Sequence, residues 1–286
     1  MTKIGITTDS ASDLAEEIVK RYNIGIANFK VDLQKIKDLP GNIFEKMRQA
    51  QKQGIDSAVK TSQPAMQEYL RIFKKGLESF EEIIHVSMSS GASGAYNSAM
   101  QAKKFLGKDS ERVHILDSEQ ASGAQSLLII GALEDIEKKL NAEEIISNFN
   151  KRIKNTFLYF TYDDPKWLIS GGRVPFLAGF GLKKMKEMNI GLLMHTKDGV
   201  IKPLTLKKNM KDLATPLFEE FKKKTKNIQS QIKVIITHAD NPSEANKLRE
   251  MLNSMENVDV LYSSIMDVVL GAHTGPNTLL INFQYE

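Results

Sequence analysis

The sequence predicts an α/β protein with a largely parallel sheet in its first half and a mixed sheet in its second half. Short apolar runs alternate with helical patterns up to about residue 150, as strands joined by helices do. The second half adds Asp198-Gly199 between two apolar runs, which is a hairpin signal. Hydrophobic residues make up 41% of the 286, and charged residues 26%, as in soluble globular proteins.

In the first half, four apolar runs predict strands, each followed by a helical or polar segment. They are KIGITT (3–8), IGIANFKV (24–31), IIHVSM (83–88) and VHILDS (113–118). The helix after the first run has Asp13 and Glu16 at the spacing of a capping box. Residues 41–53 are predicted to be helical. The segment 57–76 reads as a short strand, a turn, and a helix with Pro64 in its first turn.

The second half shows more strands than helices. Its predicted strands are NTFLYFTY (155–162), NIGLLMHT (189–196), VIKPLTLKK (200–208), KVIITHA (233–239), VDVLYSS (258–264) and TLLINFQY (278–285). Residues 210–226 and 242–255 are predicted to be helices, and GAHTGPNT (271–278) a Gly-Pro turn. This pattern predicts a mixed sheet with helices.

Four turns at strand ends are rich in small hydroxyl residues. They are TTDSASD (7–13), KTSQPA (60–65), SMSSGASGA (87–95) and LDSEQASG (116–123). Each alone is an ordinary N-cap or turn. Together, at the sheet edge where α/β proteins bind ligands, they favour a site for an acidic group held by hydroxyls and backbone N–H groups.

Other chemistries find little support in the sequence. The absence of cysteine excludes disulfides and thiolate sites and fits a cytoplasmic location. No GxGxxG follows a strand, no GxxxxGK[ST] is present, and the five histidines lack metal-ligand spacing. The net charge of +4 is spread over many lysines, which predicts no nucleic-acid partner. The lysines at 222–226 allow at most transient contact with a membrane surface.

One arginine stands out because two glycines precede it. ISGGRVPF (169–176) places Arg173 after Gly171 and Gly172, which let a guanidinium project from a tight turn. The alternative is an ordinary surface arginine on a loop.

Taken together, these segments resemble the DegV family of fatty-acid-binding proteins. The matching motifs, in chain order, are TTDSASDL, KTSQPA, SSGASGAYNSA, LDSEQASG, ISGGRV, DGVI and GAHTGP, which extend from Thr7 to Pro276. Each motif is weak alone, and seven in this order are specific.

The resemblance implies two α/β domains with a lipid tail buried between them. Residues 1–152 would form a three-layer parallel-sheet domain, and residues 153–286 a two-layer mixed-sheet domain. The residues implied to hold the carboxyl head of a long-chain fatty acid are Thr61, Ser62, Ser93, Gly94, His273 and Thr274. A separate ATP-dependent fatty-acid kinase subunit would make acyl phosphate for phospholipid synthesis, with Arg173 supporting the transfer. The chain would need no metal or cofactor and would not be an enzyme alone.

The sequence departs from the family pattern at several positions. The family usually has Thr at Ala95, a larger apolar residue at Ala92, Lys-Pro at Gly191-Leu192, Arg at Asn209 and often Gly at Asn277. These departures bear on acyl-chain preference and kinase docking. Two alternatives therefore stay open: a lipid carrier or storage protein without a kinase, and a self-sufficient phosphotransferase or hydrolase.

Overall fold

The computed structural model describes residues 3–55, 59–174, 187–209 and 211–286. Its strands are β1 (Ile4–Asp9), β2 (Gly25–Ala27), β3 (Lys30–Asp32), β4 (Lys60–Ser62), β5 (Glu82–Ser87), β6 (Val113–Asp117), β7 (Thr156–Thr161), β8 (Ile190–Lys197), β9 (Val200–Lys208), β10 (Ile232–His238), β11 (Val258–Ile265) and β12 (Leu279–Tyr285). Its α-helices are α1 (Glu16–Arg21), α2 (Ile43–Lys52), α3 (Met66–Leu77), α4 (Ala95–Lys104), α5 (Ser122–Glu137), α6 (Ala142–Ile153), α7 (Pro165–Gly171), α8 (Ala214–Thr225), α9 (Pro242–Asn253) and α10 (Val268–Thr274). Five residues of the predicted elements and motifs lie outside the described residues: Ser57, Ala58, Pro175, Phe176 and Met210.

The first half forms a three-layer unit around a parallel sheet. The strand order is β2-β1-β5-β6, and each neighbouring pair is parallel. Apolar side chains of α3 and α4 pack on one face, among them Phe73 and Ala99. Side chains of α5 and α6, including Leu128 and Phe149, cover the other face. The predicted parallel, helix-covered sheet is confirmed.

The second half is a mixed sheet with the strand order β11-β10-β12-β7-β8-β9. Only β10 and β11 are parallel among its described pairs; the other neighbours are antiparallel. Helices α8 and α9 cover one face through residues such as Phe221 and Leu248. The turn between β8 and β9 has positive φ at Asp198 (53°) and Gly199 (75°), as the predicted hairpin requires.

The other face of the mixed sheet packs against the first half. Phe160 and Met194 share one apolar cluster with Phe44 and Met47 of α2 and Ala124 of α5. Helix α5 is buried along most of its length because it contacts both sheets. An apolar helix without a polar face suits this central position.

Helix α2 belongs to the first half in sequence but packs on the second half. Arg48 forms an ion pair with Asp240 (2.7 Å), and Gln51 donates a hydrogen bond to Asp164 (2.9 Å). The chain passes from α6 to β7 between Ile153 and Thr156. The division into domains at residues 152 and 153 stays a prediction, and α2 bridges the two parts.

Three local predictions are wrong. The run 24–31 is two strands: β2 extends the parallel sheet, whereas β3 pairs with β4 in a separate two-stranded sheet. Between them, Phe29 packs on an apolar cluster that contains Val269 of the second half. Pro64 precedes the N-cap of α3, and residues 268–274 form α10 before the Gly-Pro turn.

The predicted capping box of the first helix is also absent. Ala15 is the N-cap of α1, and no side chain caps it. Asp13 has a left-handed conformation (φ 54°), and its carboxylate accepts hydrogen bonds from Ser122 Oγ (2.5 Å) and from the backbone N–H of Asp267 (2.6 Å). The carboxylate is therefore engaged between the two halves of the molecule.

Candidate functional site

A cavity lies between the two halves, and its walls are mostly apolar. Its lining includes Phe29 and Met88 from the first half and Leu158, Phe160 and Leu280 from the mixed sheet. The sheet residues alternate with side chains that face α8 and α9, so every second residue reaches the cavity. Apolar walls of this kind suit a hydrocarbon ligand.

One end of the cavity is polar where Thr61 and His273 also border a recess on the surface. Thr61 Oγ1 lies 2.8 Å from His273 Nε2, and Ser93 and Thr274 also line the cavity. Thr61 comes from β4, Ser93 from the turn before α4, and His273 and Thr274 from the end of α10. Three segments far apart in sequence thus place hydroxyls and an imidazole around one volume.

Ser62 and Gly94, which were expected beside these residues, do not line the cavity. Ser62 is exposed because successive side chains of a strand point to opposite faces, and Thr61 takes the inward face. Gly94 instead makes room for Gln63, because a Cβ at residue 94 would overlap the Gln63 amide. Gln63 lines the cavity and donates a hydrogen bond to Ser98 Oγ (2.9 Å).

The hydroxyls of Ser93 and Thr274, which also line the cavity, already have local partners. Ser93 Oγ accepts a hydrogen bond from the backbone N–H of Ala95 (3.2 Å), as in a turn before a helix. Thr274 Oγ1 donates to the carbonyl of Leu270 (3.2 Å). The Ser93 hydroxyl keeps its own hydrogen for a ligand oxygen, whereas Thr274 is available only as an acceptor.

His273 is neutral at physiological pH. Burial lowers the pKa of its imidazole to about 4, and the nearby positive charge of Arg173 lowers it further. With the proton on Nε2, the ring donates to Thr61 Oγ1 and the threonine hydroxyl hydrogen is free for a ligand; with the proton on Nδ1, the threonine donates to the ring. In the first tautomer the Thr61 hydroxyl can donate to a carboxylate.

Arg173 lies at the mouth of the cavity, where it borders the same recess as Thr61 and His273. Gly172, whose φ of 69° suits glycine, is the C-cap of α7, and the exposed Arg173 guanidinium donates to the carbonyl of Gly171 (2.8 Å). Arg173, Thr61 and His273 border both the cavity and an open recess on the surface. This recess connects the polar end with solvent.

Gly171 allows α7 and α10 to approach closely. A Cβ at residue 171 would lie 2.8 Å from Nδ1 of His273 and 3.1 Å from its Cα. The first glycine of the pair before Arg173 thus positions the histidine, which sequence reasoning missed.

The serine-rich turns contribute unequally. The turns around residues 61, 89–93 and 120–122 line the cavity, whereas the turn at 7–13 does not. Ser89 Oγ donates to the carbonyl of Gly199 (2.6 Å), and Gly91 lies against the same carbonyl. Ser89 and Gly91 therefore contact the turn of the β8–β9 hairpin, a role that the composition of the serine-rich turn did not indicate.

Among the described residues, no His, Asp and Glu side chains cluster as metal ligands would. Within the same residues, no helix combines the length and the apolarity needed to cross a membrane.

A family model described as "Uncharacterised protein, DegV family" matches residues 3–286. The chain belongs to the DegV family. It is 29% identical to a fatty acid-binding protein of Thermotoga maritima, over 97% of this chain and 96% of that protein. A DegV lipid-binding protein of the same organism superposes with a TM-score of 0.79 at 26% identity, covering 99% of this chain and 98% of the other.

A stearic acid-binding protein of Eubacterium ventriosum has the same fold. Its TM-score is 0.85 at 22% identity, and the superposition covers 100% of this chain and 98% of that one. The names of the first and third of these proteins thus describe them as binding fatty acids.

The positions where this DegV chain departs from the family pattern fall in different places. Ala92 lines the cavity, and Ala95 is buried at the start of α4. Leu192 belongs to the apolar cluster between the halves. Asn277 has a φ of 66°, a conformation that asparagine tolerates better than most residues, and its amide oxygen accepts a hydrogen bond from Arg48 (2.9 Å).

Proposed function

We propose that this chain binds a long-chain fatty acid in the cavity between its halves and presents the carboxyl group to a separate ATP-dependent kinase. The observation that carries the proposal is the contrast along the cavity. Its walls are apolar around Leu158 and Phe160, and one end carries Thr61, Ser93 and His273. A fatty acid has the same distribution of apolar and polar groups.

The apolar part supplies affinity. Each methylene removed from water contributes about 0.8 kcal/mol. The polar end then fixes the orientation of the ligand, because a carboxyl group that lost its hydration without finding hydrogen bonds would oppose binding. The hydroxyls of Thr61 and Ser93 can meet that need in either protonation state of the acid.

The polar end also supports a carboxyl that a partner can reach. Arg173 borders both the cavity and the surface recess, and its guanidinium is exposed. A guanidinium at that mouth can hold a transferred phosphoryl group by two hydrogen bonds, which a lysine does less well. The kinase would supply ATP and Mg²⁺, and this chain would supply the positioned acyl group.

Autonomous ester hydrolysis is less well supported. Thr61 and His273 are at the distance of a nucleophile and a base, but the pKa of His273 near 4 makes the imidazole a weak base at neutral pH. Among the hydrogen bonds of the described residues, no carboxylate orients the ring as in a catalytic triad. We therefore expect no turnover by this chain alone.

A carrier without a kinase is the second candidate. The departures at Gly191, Leu192 and Asn209 remove charged or rigid residues that the family pattern has there. They do not alter the polar end of the cavity, so lipid binding and kinase docking can be separated. The cytoplasmic location inferred from the lack of cysteine fits both candidates, with and without a kinase.

Two measurements test the proposal. Lipid extracted from the purified protein is identified by mass spectrometry, and we expect stoichiometric fatty acid such as palmitic or oleic acid. The protein is then incubated with ATP, Mg²⁺ and oleate, with and without a candidate kinase. Acyl phosphate only in the presence of the kinase supports the full proposal. Acyl phosphate without it contradicts the assignment as a non-enzyme, and the absence of any acyl ligand contradicts lipid binding.

A further inference from the structure

The cavity has a second opening, apart from the one at Thr61 and His273. Gln120 and Thr196 border both the cavity and a groove on the protein surface. The groove carries charged side chains, among them Lys154, Lys197 and Glu220. The head-group end shares a different set of residues with a different recess, so the two openings are distinct.

Strand β7 separates these two ends. The Gln120 amide donates to the carbonyl of Thr156, where β7 begins, whereas α7, which borders the recess, follows the end of the strand. A strand of this length extends about 17 Å. Leu158 and Phe160 lie on it between the two ends and line the cavity. A chain anchored at Thr61 would therefore pass these two residues on its way to Gln120.

Gln120 closes the far end, and both polar atoms of its side chain have a hydrogen-bond partner. Its Nε2 donates to the Thr156 carbonyl (3.1 Å), and its Oε1 accepts from Thr196 Oγ1 (2.5 Å). Its backbone carbonyl accepts from the N–H of Ser89 (2.8 Å). The residue is only 6% exposed. Since it follows β6 in the first half and binds β7 and β8 of the second, it holds the two halves together at that point.

We infer that the Gln120–Thr196 pair closes the tail end of the acyl cavity and sets the upper chain length of the bound fatty acid. This inference rests on the proposed function. A tail that extends past the pair must break both side-chain hydrogen bonds of Gln120 and then enters a groove of charged, hydrated side chains. Its additional methylenes stay in contact with water there and gain no burial.

The test is a chain-length profile of binding. Dissociation constants for palmitic, stearic, arachidic and behenic acid are measured by displacement of a fluorescent fatty acid, for the wild type and for Gln120→Ala. We expect the wild type to lose affinity for arachidic and behenic acid relative to palmitic acid. In Gln120→Ala that ratio should recover by about tenfold, since the space vacated by the glutamine side chain would take roughly two methylenes, each worth about fourfold in affinity.

Gln125→Ala is the matched control. Gln125 is also a buried glutamine of the first half, and its amide donates to Thr8 and Asp9, but it does not line the cavity. Its replacement should lower stability and leave the ratio between long and short acids unchanged. The same shift in Gln125→Ala as in Gln120→Ala would overturn the inference.

Thr196→Val keeps the size of the side chain and removes its hydrogen bond to Gln120, so it decides the matter if Gln120→Ala does not fold. We expect a smaller shift, about threefold, in the same direction. Unchanged ratios in the folded variants, with normal binding of palmitic acid, overturn the role of the pair. Failure of the wild type to bind any of the four acids instead overturns the proposed function.

Discussion

Two polar clusters join the halves of this protein. One contains acidic side chains of the chain itself, whereas the other contains none among the described hydrogen bonds. The first cluster contains Asp13 and Asp267, and the Asp13 carboxyl group accepts hydrogen bonds from Ser122 and from the Asp267 backbone. The other contains Thr61 and His273, and no carboxyl group belongs to it among the described hydrogen bonds. The first cluster is complete within the chain, whereas no acid of the described chain completes the second.

This difference explains why similar hydroxyl-rich turns have different roles. The Ser122 hydroxyl donates a hydrogen bond to Asp13 and lies 2.8 Å from Thr237 Oγ1, so its hydrogen-bonding capacity is used inside the protein. The Thr61 hydroxyl is bonded to a neutral imidazole, and with the imidazole proton on Nε2 it can still donate to a ligand. A hydroxyl-rich turn therefore predicts a ligand site only where the chain does not supply the acid itself.

The largest effect that we expect concerns the pH dependence of stability at the cluster with its own acid. Burial raises the pKa of Asp13 from 3.8 to about 7. Between these values the folded protein holds a proton that the unfolded chain has lost, so this carboxyl stabilises the fold at low pH and the contribution is lost as the pH rises. Relative to Asp13→Asn, the free energy of unfolding of the wild type should fall by at least about 2 kcal/mol between about pH 4 and about pH 7.

Urea denaturation at a series of pH values measures this difference. Asp135→Asn is the control with the opposite sign: burial raises the pKa of Asp135, but the hydrogen bonds and charge of Arg152 outweigh it and lower the pKa overall. The wild type should therefore gain stability relative to Asp135→Asn as the pH rises. Parallel profiles for the wild type and Asp13→Asn would show that Asp13 is not protonated in the fold.

The cluster without an acid should respond through ligand binding. Thr61→Ala and Ser93→Ala each remove one donor to the carboxyl group, about 0.5–1.5 kcal/mol if the acid is neutral and up to about 3 if it is charged. Affinity for oleate should fall roughly severalfold to a hundredfold, with little change in stability. Ser62→Ala is the matched control, because the exposed Ser62 neighbours Thr61 and does not line the cavity. Wild-type affinity in both Thr61→Ala and Ser93→Ala would place the carboxyl elsewhere.

The two clusters also show what the sequence can reveal. The strands, most helices and the hairpin follow from local patterns, because periodicity and turn residues act over short ranges. Thr61, Ser93 and His273 came from resemblance and from hydroxyl-rich turns. Asp13 looked like a helix cap, since capping spacing is local, whereas its real partners Ser122 and Asp267 are 109 and 254 residues away.

Other features depend on contacts between the halves that no local pattern encodes. Helix α2 packs on the second half through Arg48 and Asp240, 192 residues apart. The role of Gly171 depends on the distance between α7 and α10. Gln120 follows a serine-rich turn but binds strands of the other half. The break between β2 and β3 lies next to Phe29, which packs on a cluster that contains Val269 of α10.

The mouth of the cavity gives a third, smaller effect that separates binding from transfer. Arg173→Ala should leave fatty-acid affinity nearly unchanged and lower kinase-dependent acyl phosphate formation by more than about tenfold. Arg173→Lys keeps the charge without the bidentate geometry and should give an intermediate rate. Reduced lipid affinity with normal turnover at saturating lipid would make Arg173 a ligand of the carboxyl group instead.

The smallest expected effect tests whether His273 must be held against Thr61. In Gly171→Ala the new Cβ would press on the His273 ring and backbone, at 2.8 and 3.1 Å, so α7 and α10 must separate by a few tenths of an ångström. Alanine favours the helix by about 0.5–1 kcal/mol, which offsets part of the strain in stability but does not restore the position of the imidazole. Oleate affinity should therefore fall about threefold to fivefold while the free energy of unfolding changes by less than about 1 kcal/mol.

Gly76→Ala is the matched control: its Cβ also meets a neighbour at 2.8 Å, but that neighbour is the flexible end of Ile83, which lies outside the cavity lining. Equal affinities in the two variants would show that binding tolerates a displaced His273, and that the Thr61 hydroxyl alone orients the carboxyl.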